Sequence, residues 1–297
     1  MKRSIVQRGV STPAKHKILR LLPDKVFLQL LYWPRFGKRL DLKHPKTYNE
    51  KLQWLKLYDR KPIYTTMVDK YAVKQYVAER IGEDYIIPTL GVWEKFDDID
   101  FDTLPDQFVL KCTHDSGGLV ICRSKKDLDI DAARNKIEKC LKRNYYWNGR
   151  EWPYKNVKPR ILAETYMEDT ATKELRDYKF FCFNGEAKMM FLATDRHKGK
   201  EALKFDFYDM NFNRLPFERG YPSSNRAIEK PETFDEMRKL SEKLSQGIPH
   251  VRVDFYEVDG KNYFGELTFS PGNGVERFEP EEWDYTCGSW IKLPQKK

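Results

Sequence analysis

The stretch His250-Val-Arg-Val-Asp-Phe-Tyr-Glu-Val-Asp-Gly-Lys-Asn-Tyr-Phe-Gly-Glu-Leu-Thr-Phe-Ser-Pro-Gly272 predicts two alternating strands joined by an Asp-Gly turn. Side chains two residues apart in a strand share a face of the sheet. Arg252 and Asp254 therefore point the same way on the first strand. Glu266 and Thr268 likewise share a face of the second strand. The relative position of these two pairs depends on the turn between the strands.

The length of the turn decides whether the two carboxylates meet. A two-residue turn would place Asp254 and Glu266 on opposite sides of the sheet, because a register shift of one residue turns every side chain over. A three-residue loop over residues 259–261 would place them directly opposite each other, and such loops often contain glycine. In that register Asp254, Glu266 and Thr268 form a cluster of oxygen ligands that suits Mg²⁺. The alternative is a surface hairpin with an ordinary cross-strand ion pair.

The charge of the chain indicates an anionic partner. Its 297 residues carry a formal net charge of +9, with a sequence pI near 9.1. The sequence has no recognisable helix-turn-helix, zinc-finger or RNP-type motif, so nucleic acid is not an expected partner. No apolar run has the length of a membrane span. Peripheral membrane contact through the basic N-terminal region stays open as an alternative to packing.

Cysteine usage indicates a reducing compartment. The five cysteines are scattered, odd in number and without a CxxC pair, which argues against both a zinc site and a disulfide framework. The N-terminus has no recognisable secretion signal. We therefore expect a cytoplasmic protein, with the inner face of the membrane as the alternative location.

The order of apolar patterns predicts a mixed α+β chain with largely antiparallel sheets. Residues 1–66 are basic and helical in pattern, and residues 67–81 predict a helix that presents Lys70 and Lys74 one turn apart. Further strands are predicted at residues 86–92, 108–112, 119–123, 161–166, 177–183 and 188–193, with an Asn-Gly hairpin turn before the last, and further helices at residues 131–143 and 233–246.

Lys111 and the loop that follows it suit a phosphate group. Lys111 ends an apolar strand, and the loop His114-Asp-Ser-Gly-Gly118 comes next. Glycines allow backbone N–H groups to close on an anion, and the lysine supplies a fixed positive charge. The alternative is a plain hairpin turn.

Two later strands carry further candidate groups. Glu164 lies in Ile161-Leu-Ala-Glu-Thr-Tyr-Met167, where an apolar strand runs into a segment that can offer backbone donors and acceptors to a planar base. Asp177 begins the next strand, with Lys179 two residues on. Each of these charges, taken alone, is more typical of an exposed strand.

Taken in order, these segments resemble the TupA-like branch of the ATP-grasp superfamily, which is associated with bacterial capsule and teichuronopeptide synthesis. The resemblance covers roughly residues 25–280. It is carried by four segments, Lys46-Thr-Tyr-Asn-Glu-Lys-Leu-Gln-Trp54, Val68-Asp-Lys-Tyr-Ala-Val-Lys74, Leu110-Lys-Cys-Thr-His-Asp-Ser-Gly-Gly118 and Asp177-Tyr-Lys-Phe-Phe181.

The resemblance implies an ATP-grasp fold, in which two α+β subdomains grip ATP between largely antiparallel sheets, preceded here by a helical N-terminal region. The corresponding divisions are residues 1–66, a lid subdomain over residues 67–160, and a C-terminal subdomain with the metal site over residues 161–297. Its implied cofactors are ATP and Mg²⁺. One departure concerns Thr268, where the superfamily often has Asn. Another is that the short N-terminal region does not resemble the usual preceding α/β domain.

The resemblance also assigns roles to the candidate residues. Lys70 and Lys111 would contact the ATP phosphates, and the loop with His114, Ser116, Gly117 and Gly118 would close over them. The remaining assignments are Glu164, Thr165, Tyr166 and Met167 at the adenine, Asp177 near the ribose, Lys179 as a further cofactor-binding residue, Asp254, Glu266 and Thr268 at Mg²⁺, and Arg252 with Lys111 as catalytic cations.

The function implied is an ATP-dependent carboxylate-amine ligase that forms an amide through an acyl phosphate. Its substrates would be an amino acid or other amine and an anionic glycan or sugar carboxylate of the uronic-acid type. Three alternatives stay open. They are an ATP-dependent sugar kinase, a glycosyltransferase, for which Asp98-Ile-Asp100 and Asp129-Ile-Asp131 are formal DxD matches, and a non-catalytic anionic-glycan binding protein.

Overall fold

The structure is a computed structural model that describes residues 17–171, 175–194, 203–224 and 226–296. Residues 1–16 of the predicted basic, helical N-terminal region lie outside the described residues. The described chain combines helices with antiparallel sheets, which confirms the predicted α+β class. Its helices are α1 (Asp24–Phe36), α2 (Tyr48–Tyr58), α3 (Ile63–Val68), α4 (Ala72–Ile81), α5 (Ile130–Leu141), α6 (Tyr146–Gly149), α7 (Phe234–Ser245) and α8 (Glu282–Trp290). Its strands are β1 (Thr89–Trp93), β2 (Phe108–Cys112), β3 (Leu119–Cys122), β4 (Ile161–Thr165), β5 (Arg176–Phe183), β6 (Glu186–Thr194), β7 (Lys204–Asp209), β8 (Glu218–Arg219), β9 (His250–Val258), β10 (Lys261–Thr268) and β11 (Phe278–Glu279).

A four-stranded antiparallel sheet has the order β1-β4-β2-β3. Its apolar face, which includes Leu110, packs against α5. Asp129 caps the start of that helix, because its side chain accepts a hydrogen bond from the backbone N–H of Ala132 at 2.8 Å. Lys111 and Glu164 lie on the opposite face of the sheet, because neighbouring residues of a strand alternate between faces.

A five-stranded antiparallel sheet has the order β10-β9-β5-β6-β7. Phe180 of β5 packs in a core with α4 and α7, and its neighbour Phe181 packs in a second core with α2 and α8. The predicted Asn-Gly turn joins β5 to β6, since Asn184 and Gly185 adopt φ angles of 51° and 89°. The sheet is therefore covered on both faces.

Helices from the N-terminal region pack against the C-terminal end of the chain. α2 begins with a capping box, in which the Thr47 hydroxyl accepts from the Glu50 N–H and the Glu50 carboxylate accepts from the Thr47 N–H. α1 packs on α2 through a cluster that includes Leu28 and Trp54. A two-stranded ribbon of β8 and β11 lies beside α8.

The turn between β9 and β10 differs from the prediction. Val258 pairs with Lys261, so the turn has two residues, and the predicted three-residue loop is wrong. Asp259 and Gly260 adopt φ angles of 51° and 71°, which are the two positive values of a type I′ turn. This turn type matches the twist of the two strands, and Asp-Gly is among its preferred sequences.

A β-bulge restores the predicted pairing farther along the hairpin. The register shifts between Phe264 and Glu266, so that Gly265 is an extra residue in β10. Beyond the bulge Asp254 faces Glu266, and Arg252 faces Thr268, as in the predicted register. A Cβ atom at Gly265 would lie 3.1 Å from the Asp254 carbonyl oxygen, which explains why glycine occupies this position.

The predicted helix over residues 67–81 is divided into α3 and α4. The Asp69 carboxylate accepts a hydrogen bond from the Tyr71 N–H at 2.9 Å, which satisfies a donor at the start of α4. Lys70 lies in the break, and its backbone N–H donates to the Thr113 carbonyl at 3.0 Å. Lys70 is therefore connected to the loop after β2 instead of lying on a continuous helix face.

Strand pairing suggests a different division of the chain from the predicted one. β4 pairs with β1 and β2, whereas a boundary at residue 161 would assign it to the C-terminal subdomain. The other predicted boundary, at residue 66, falls within α3. We therefore propose that the two sheet-bearing parts divide after Thr165.

Candidate active site

Two adjoining cavities lie between the two larger sheets, and a third adjoins the first of them beside α1 and the β8–β11 ribbon. The central cavity has a volume of about 370 Å³ and is lined from both sheets. The loop-side cavity, of about 710 Å³, shares Lys111 and Glu164 with it. The arginine cavity, of about 750 Å³, shares Arg219, Gly272 and Glu276 with the central cavity. The central cavity includes the predicted residues Lys70, Lys111, Ser116, Gly118, Glu164, Asp177, Lys179, Arg252 and Glu266 in its lining.

One nitrogen of Arg252 marks the point where the three predicted metal ligands converge. Its Nη2 donates to Asp254 Oδ2 at 2.7 Å, to Glu266 Oε1 at 2.8 Å and to Thr268 Oγ1 at 3.0 Å. Carboxylate and hydroxyl oxygens around a single cation are a donor set that fits Mg²⁺. The guanidinium group and a metal ion cannot share this point, so binding of the ion requires Arg252 to move.

The charge around Glu266 keeps its side chain ionised. Burial alone would raise the pKa of the carboxyl group, but the positive charges of Arg252, Lys70 and Lys179 lower this pKa to about 2. The Thr268 hydroxyl donates to Glu266 Oε1 at 3.1 Å and favours the same ionised form. Glu266 is thus negatively charged at neutral pH and lines the central cavity.

Asp254 lies deeper than Glu266. It is 1% exposed and pairs with Lys179, whose ammonium group also pairs with Asp177 at 2.6 Å. Lys179 is opposite Asp254 in the pairing of β5 with β9, which explains the contact. Asp177 and Lys179 reach the central cavity, whereas Asp254 lies beneath it.

Glu164 links two lysines on the floor of the cleft. Its carboxylate pairs with Lys74 and with Lys111, each at 2.5 Å. Burial would raise the pKa of Glu164, but these two positive charges lower it below its ordinary value. Glu164 therefore orients Lys111 within the central cavity, and it also lines the loop-side cavity.

The loop after β2 brings backbone groups to the central cavity. Ser116 and Gly118 line the cavity. The Lys70 ammonium group donates to the Asp115 carbonyl at 2.8 Å, and the Asp115 carboxylate accepts from the Gly117 N–H at 3.1 Å. Lys70 and the loop are thereby held together, as the prediction that both serve one anion requires.

His114 lies underneath this loop. It is 2% exposed, and its Nε2 is 3.2 Å from the Cys140 carbonyl oxygen and 3.1 Å from that of Arg143. Burial lowers the pKa of the imidazole. His114 therefore supports the loop, whereas the sequence assigned it to the cofactor. Gly118 packs tightly on the same core, because a Cβ atom there would lie 2.4 Å from the Cys112 sulfur.

The loop-side cavity combines an apolar wall with a polar edge. The predicted segment Glu164–Met167 lines it, together with Ile87, Val109, Ile121 and Leu192. The Tyr166 hydroxyl donates to Glu168 at 2.7 Å and accepts from Arg123 at 3.1 Å. Apolar walls with a few polar groups are typical of sites for small molecules and cofactors.

Arg219 and Glu276 line both the central and the arginine cavities, and the sequence did not predict them as site residues. These two residues form an ion pair at 3.0 Å although they are far apart in the chain. No short motif contains both, so the sequence carries no local signal for them. The pairing of Lys74 with Glu164 was likewise not predicted, although the spacing of Lys74 from Lys70 was.

Comparisons with known proteins identify the family. A search of curated proteins gave no match. Among solved structures, D-alanine--D-alanine ligase from Bacillus anthracis complexed with ATP is 18% identical with a TM-score of 0.41, over 69% of this chain and 54% of that one. The ATP-grasp ligase PsnB complexed with minimal precursor, Mg and ADP is 11% identical with a TM-score of 0.41, over 75% and 58%. D-Alanine-D-alanine ligase from Helicobacter pylori is 13% identical with a TM-score of 0.45, over 84% and 68%.

The present chain therefore spans little more than half the length of the first two of these structures. Within its described part, no helix is both long and apolar enough to cross a membrane. The family model for TupA-like ATPgrasp proteins matches residues 50–292. Because this match extends over most of the sequence, the chain belongs to the TupA-like ATP-grasp family.

Proposed function

We propose that this protein is an ATP-dependent carboxylate-amine ligase that forms an amide through an acyl phosphate. The observation that carries the proposal is the convergence of an acidic hairpin and several cationic side chains on one cavity. Lys70, Lys111 and Arg252 reach this cavity from different elements, and Glu266 faces them. Membership of the ATP-grasp family supports this interpretation of the cavity as a nucleotide site.

ATP would lie across the central and loop-side cavities. Its phosphates would bind Lys70, Lys111 and the backbone of the loop with Ser116 and Gly118, because these groups supply positive charge and N–H donors. Its adenine would enter the loop-side cavity, beside the segment Glu164–Met167. Asp177 would then approach the ribose.

Mg²⁺ would be held by Glu266 and Asp254, with Thr268 as the third oxygen ligand. When bound, the ion would supply a charge that neutralises the phosphoryl oxygens. Arg252 would leave the centre of the ligand cluster and bind the transferred phosphoryl group, to which its guanidinium group is complementary.

The residues act by orientation and charge, and the reaction needs no protein nucleophile. A carboxylate resists attack by an amine because it is anionic and lacks a good leaving group. Transfer of the γ-phosphoryl group to one carboxylate oxygen would yield ADP and an acyl phosphate. The amine would attack the acyl carbon and expel phosphate. Lys111 and Arg252 would stabilise the negative charge on the phosphoryl oxygens during transfer.

We propose a uronic acid or a similar sugar carboxylate as the activated substrate, within bacterial surface polysaccharide synthesis. The net charge of +9 supports an anionic glycan partner. A reaction that consumes intracellular ATP would take place in the cytoplasm or at the inner face of the membrane. We include the capsule pathway in this proposal because the sequence resembles a branch associated with capsule synthesis.

The test is a phosphate-release screen of amino acids against uronic acids, including nucleotide-linked and lipid-linked forms. Release of ADP and phosphate that requires both substrates, with an amide product in the mass spectrum, is the expected result. ADP with a phosphorylated sugar would instead identify a kinase. A nucleoside diphosphate released from a sugar nucleotide would identify a glycosyltransferase, and binding without any of these products a glycan-binding protein.

A further inference from the structure

α1 carries apolar side chains on two opposite faces. Its inner face packs in a core with Trp54 of α2 and consists of Phe27, Leu28, Leu31 and Tyr32. On its outer face Val26, Leu30 and Trp33 are 45%, 42% and 52% exposed. Their spacing of four and three residues aligns them in one row along the helix, the outer row. A surface helix usually presents polar side chains to water, so the described residues leave this row uncovered where a partner is expected.

The outer row is held in place by contacts at both ends of α1. Before the helix, the buried Arg150 donates from Nη2 to the Leu19 carbonyl at 3.0 Å. Asp24, in the first turn, pairs with Arg60 at 2.8 Å. The helix ends at Gly37, which has a left-handed φ angle of 69°. A helix that is already ordered binds a surface without the entropic cost of folding.

The excess positive charge of the protein lies in the segment that contains α1. Residues 1–40 contain ten lysines and arginines and one acidic residue, which together give the whole net charge of +9. The 44 basic and 44 acidic residues of positions 41–297 cancel. The single acid, Asp24, is neutralised by Arg60. Four exposed cations before, within and after α1 form no ion pair within the described part of the chain, namely Arg20, Lys25, Arg35 and Arg39.

We propose that α1 docks the protein on the surface of an anionic phospholipid bilayer. The outer row would enter the interfacial layer, and the exposed cations would contact the lipid phosphates. Amphipathic helices bind bilayers when an apolar face and basic residues occur together. Trp33 suits this depth, since tryptophan is enriched at the interface between membrane and water. The inference goes beyond the proposed ligase function and does not depend on it.

The chemistry of the outer row favours lipid over two other occupants. A soluble anionic glycan would pair with the cations but would leave three apolar side chains in water. A second copy packed through α1 would bring its own cation-rich segment against that of the first, and like charges at an interface oppose association. A bilayer supplies apolar chains and phosphates together, so it matches both features of the segment.

The experiment measures sedimentation of the full chain with sucrose-loaded vesicles, in the absence of ATP. The vesicles consist of phosphatidylcholine alone or of phosphatidylcholine with phosphatidylglycerol, each in low and in high salt. The variants of the outer row are Leu30→Gln and Trp33→Gln. Their matched control is Ile130→Gln, because Ile130 is an exposed apolar residue of α5. The charge variant Lys25→Gln has as its control Lys243→Gln, an exposed position of α7. Thermal unfolding checks that each variant is folded.

We expect the wild type to bind phosphatidylcholine alone at least about tenfold more weakly than the anionic vesicles. Leu30→Gln and Trp33→Gln should each weaken binding to the anionic vesicles about tenfold, since an apolar side chain no longer leaves water. Lys25→Gln should weaken this binding about fivefold, and high salt should weaken it further. Both controls should bind as the wild type does.

Quenching by lipids brominated on their acyl chains tests whether Trp33 enters the bilayer. The wild type should lose fluorescence on such vesicles. Trp33→Phe keeps an aromatic ring, so it should still bind but should lose less fluorescence. Because the chain has seven tryptophans, the difference between the two proteins reports on position 33. Equal quenching of both proteins would overturn the insertion of the outer row.

The other occupants appear as distinct results, each of which would overturn the proposal. Binding that responds to salt and to Lys25→Gln, but not to the two outer-row variants, would show adsorption by charge alone, and equal affinity for soluble polygalacturonate would then assign the cations to an anionic glycan. A dimer in sedimentation velocity that Leu30→Gln dissociates, without vesicle binding, would assign the outer row to a second copy. Absence of vesicle binding, with Trp33 shielded from iodide quenching in the free protein, would assign it to residues 1–16.

Discussion

Replacement of Glu266 by glutamine separates its metal role from its structural role. The substitution keeps the volume of the side chain and an acceptor oxygen for Arg252, which in the wild type donates to Glu266 Oε1 at 2.8 Å. It removes the negative charge that would help to hold Mg²⁺. We therefore expect Mg-ATP-dependent phosphate release to fall at least about 100-fold, as expected when a ligand carboxylate becomes neutral.

The same substitution should have little effect on folding. A hydrogen bond between charged groups contributes about 1.5–3 kcal/mol and a neutral one about 0.5–1.5 kcal/mol, so the change removes about 1 kcal/mol before screening. The Glu266 side chain is 36% exposed, and water therefore screens part of this difference. A loss below about 1 kcal/mol lowers the melting temperature of a chain of this size by no more than about 2–4 °C.

The assay pairs phosphate release with thermal unfolding of the same preparation. Glu257→Gln is the matched control, because Glu257 lies in the same hairpin but accepts hydrogen bonds from Thr233 at 2.7 Å and from Tyr178 at 3.3 Å, away from the central cavity. This control should retain turnover. Wild-type turnover in Glu266→Gln would refute the metal assignment. A large fall in melting temperature would refute the argument that its contact with Arg252 is weakly stabilising.

Three further predictions concern the remaining parts of the cleft. Lys111→Ala should weaken ATP binding measured by calorimetry, because a fixed positive charge is lost, and an unchanged affinity would contradict its phosphate role. Gly118→Ala should lower the free energy of unfolding by about 1–3 kcal/mol through overpacking, because the new Cβ atom would lie 2.4 Å from the Cys112 sulfur and 2.5 Å from the Cys140 sulfur. The same substitution should also weaken ATP binding. Its control, Gly117→Ala, meets only the flexible end of an arginine at 2.8 Å and should change denaturant stability far less; equal losses would refute the packing argument. Burial would raise the pKa of Glu164, but Lys111 and Lys74 lower it below its ordinary value of 4.5. The contribution of the ionised Glu164 side chain to the free energy of unfolding is therefore complete above pH 4.5 and is lost as the pH falls. The difference in unfolding free energy between wild type and Glu164→Gln should therefore shrink as the pH falls from about 5 towards about 3, and a constant difference would contradict the ion pairs.

Elements whose signals are local could be predicted from the sequence, whereas contacts between distant segments could not. The Asn-Gly turn depends on two adjacent residues, and the shared face of Arg252 and Asp254 depends on their spacing of two along one strand. The break at Lys70 has a tertiary cause, since the backbone there bonds to Thr113. The pair of Arg219 and Glu276 depends on how the β8–β11 ribbon meets the loop after β10, which no periodicity expresses.

The hairpin shows how a correct pairing can follow from an incorrect turn. With a two-residue turn and regular pairing, Asp254 and Glu266 would lie on opposite faces, so the hairpin needs one additional residue to bring them to the same face. The predicted three-residue loop placed this additional residue in the turn. The protein keeps the favoured type I′ turn at Asp-Gly and places the extra residue at Gly265 instead. Glycine fits there because the backbone of Asp254 comes within 3.1 Å of a Cβ position. The bulge therefore aims Glu266 at the same point as Asp254, and a glycine inside an alternating strand is the sequence signal that would have located it.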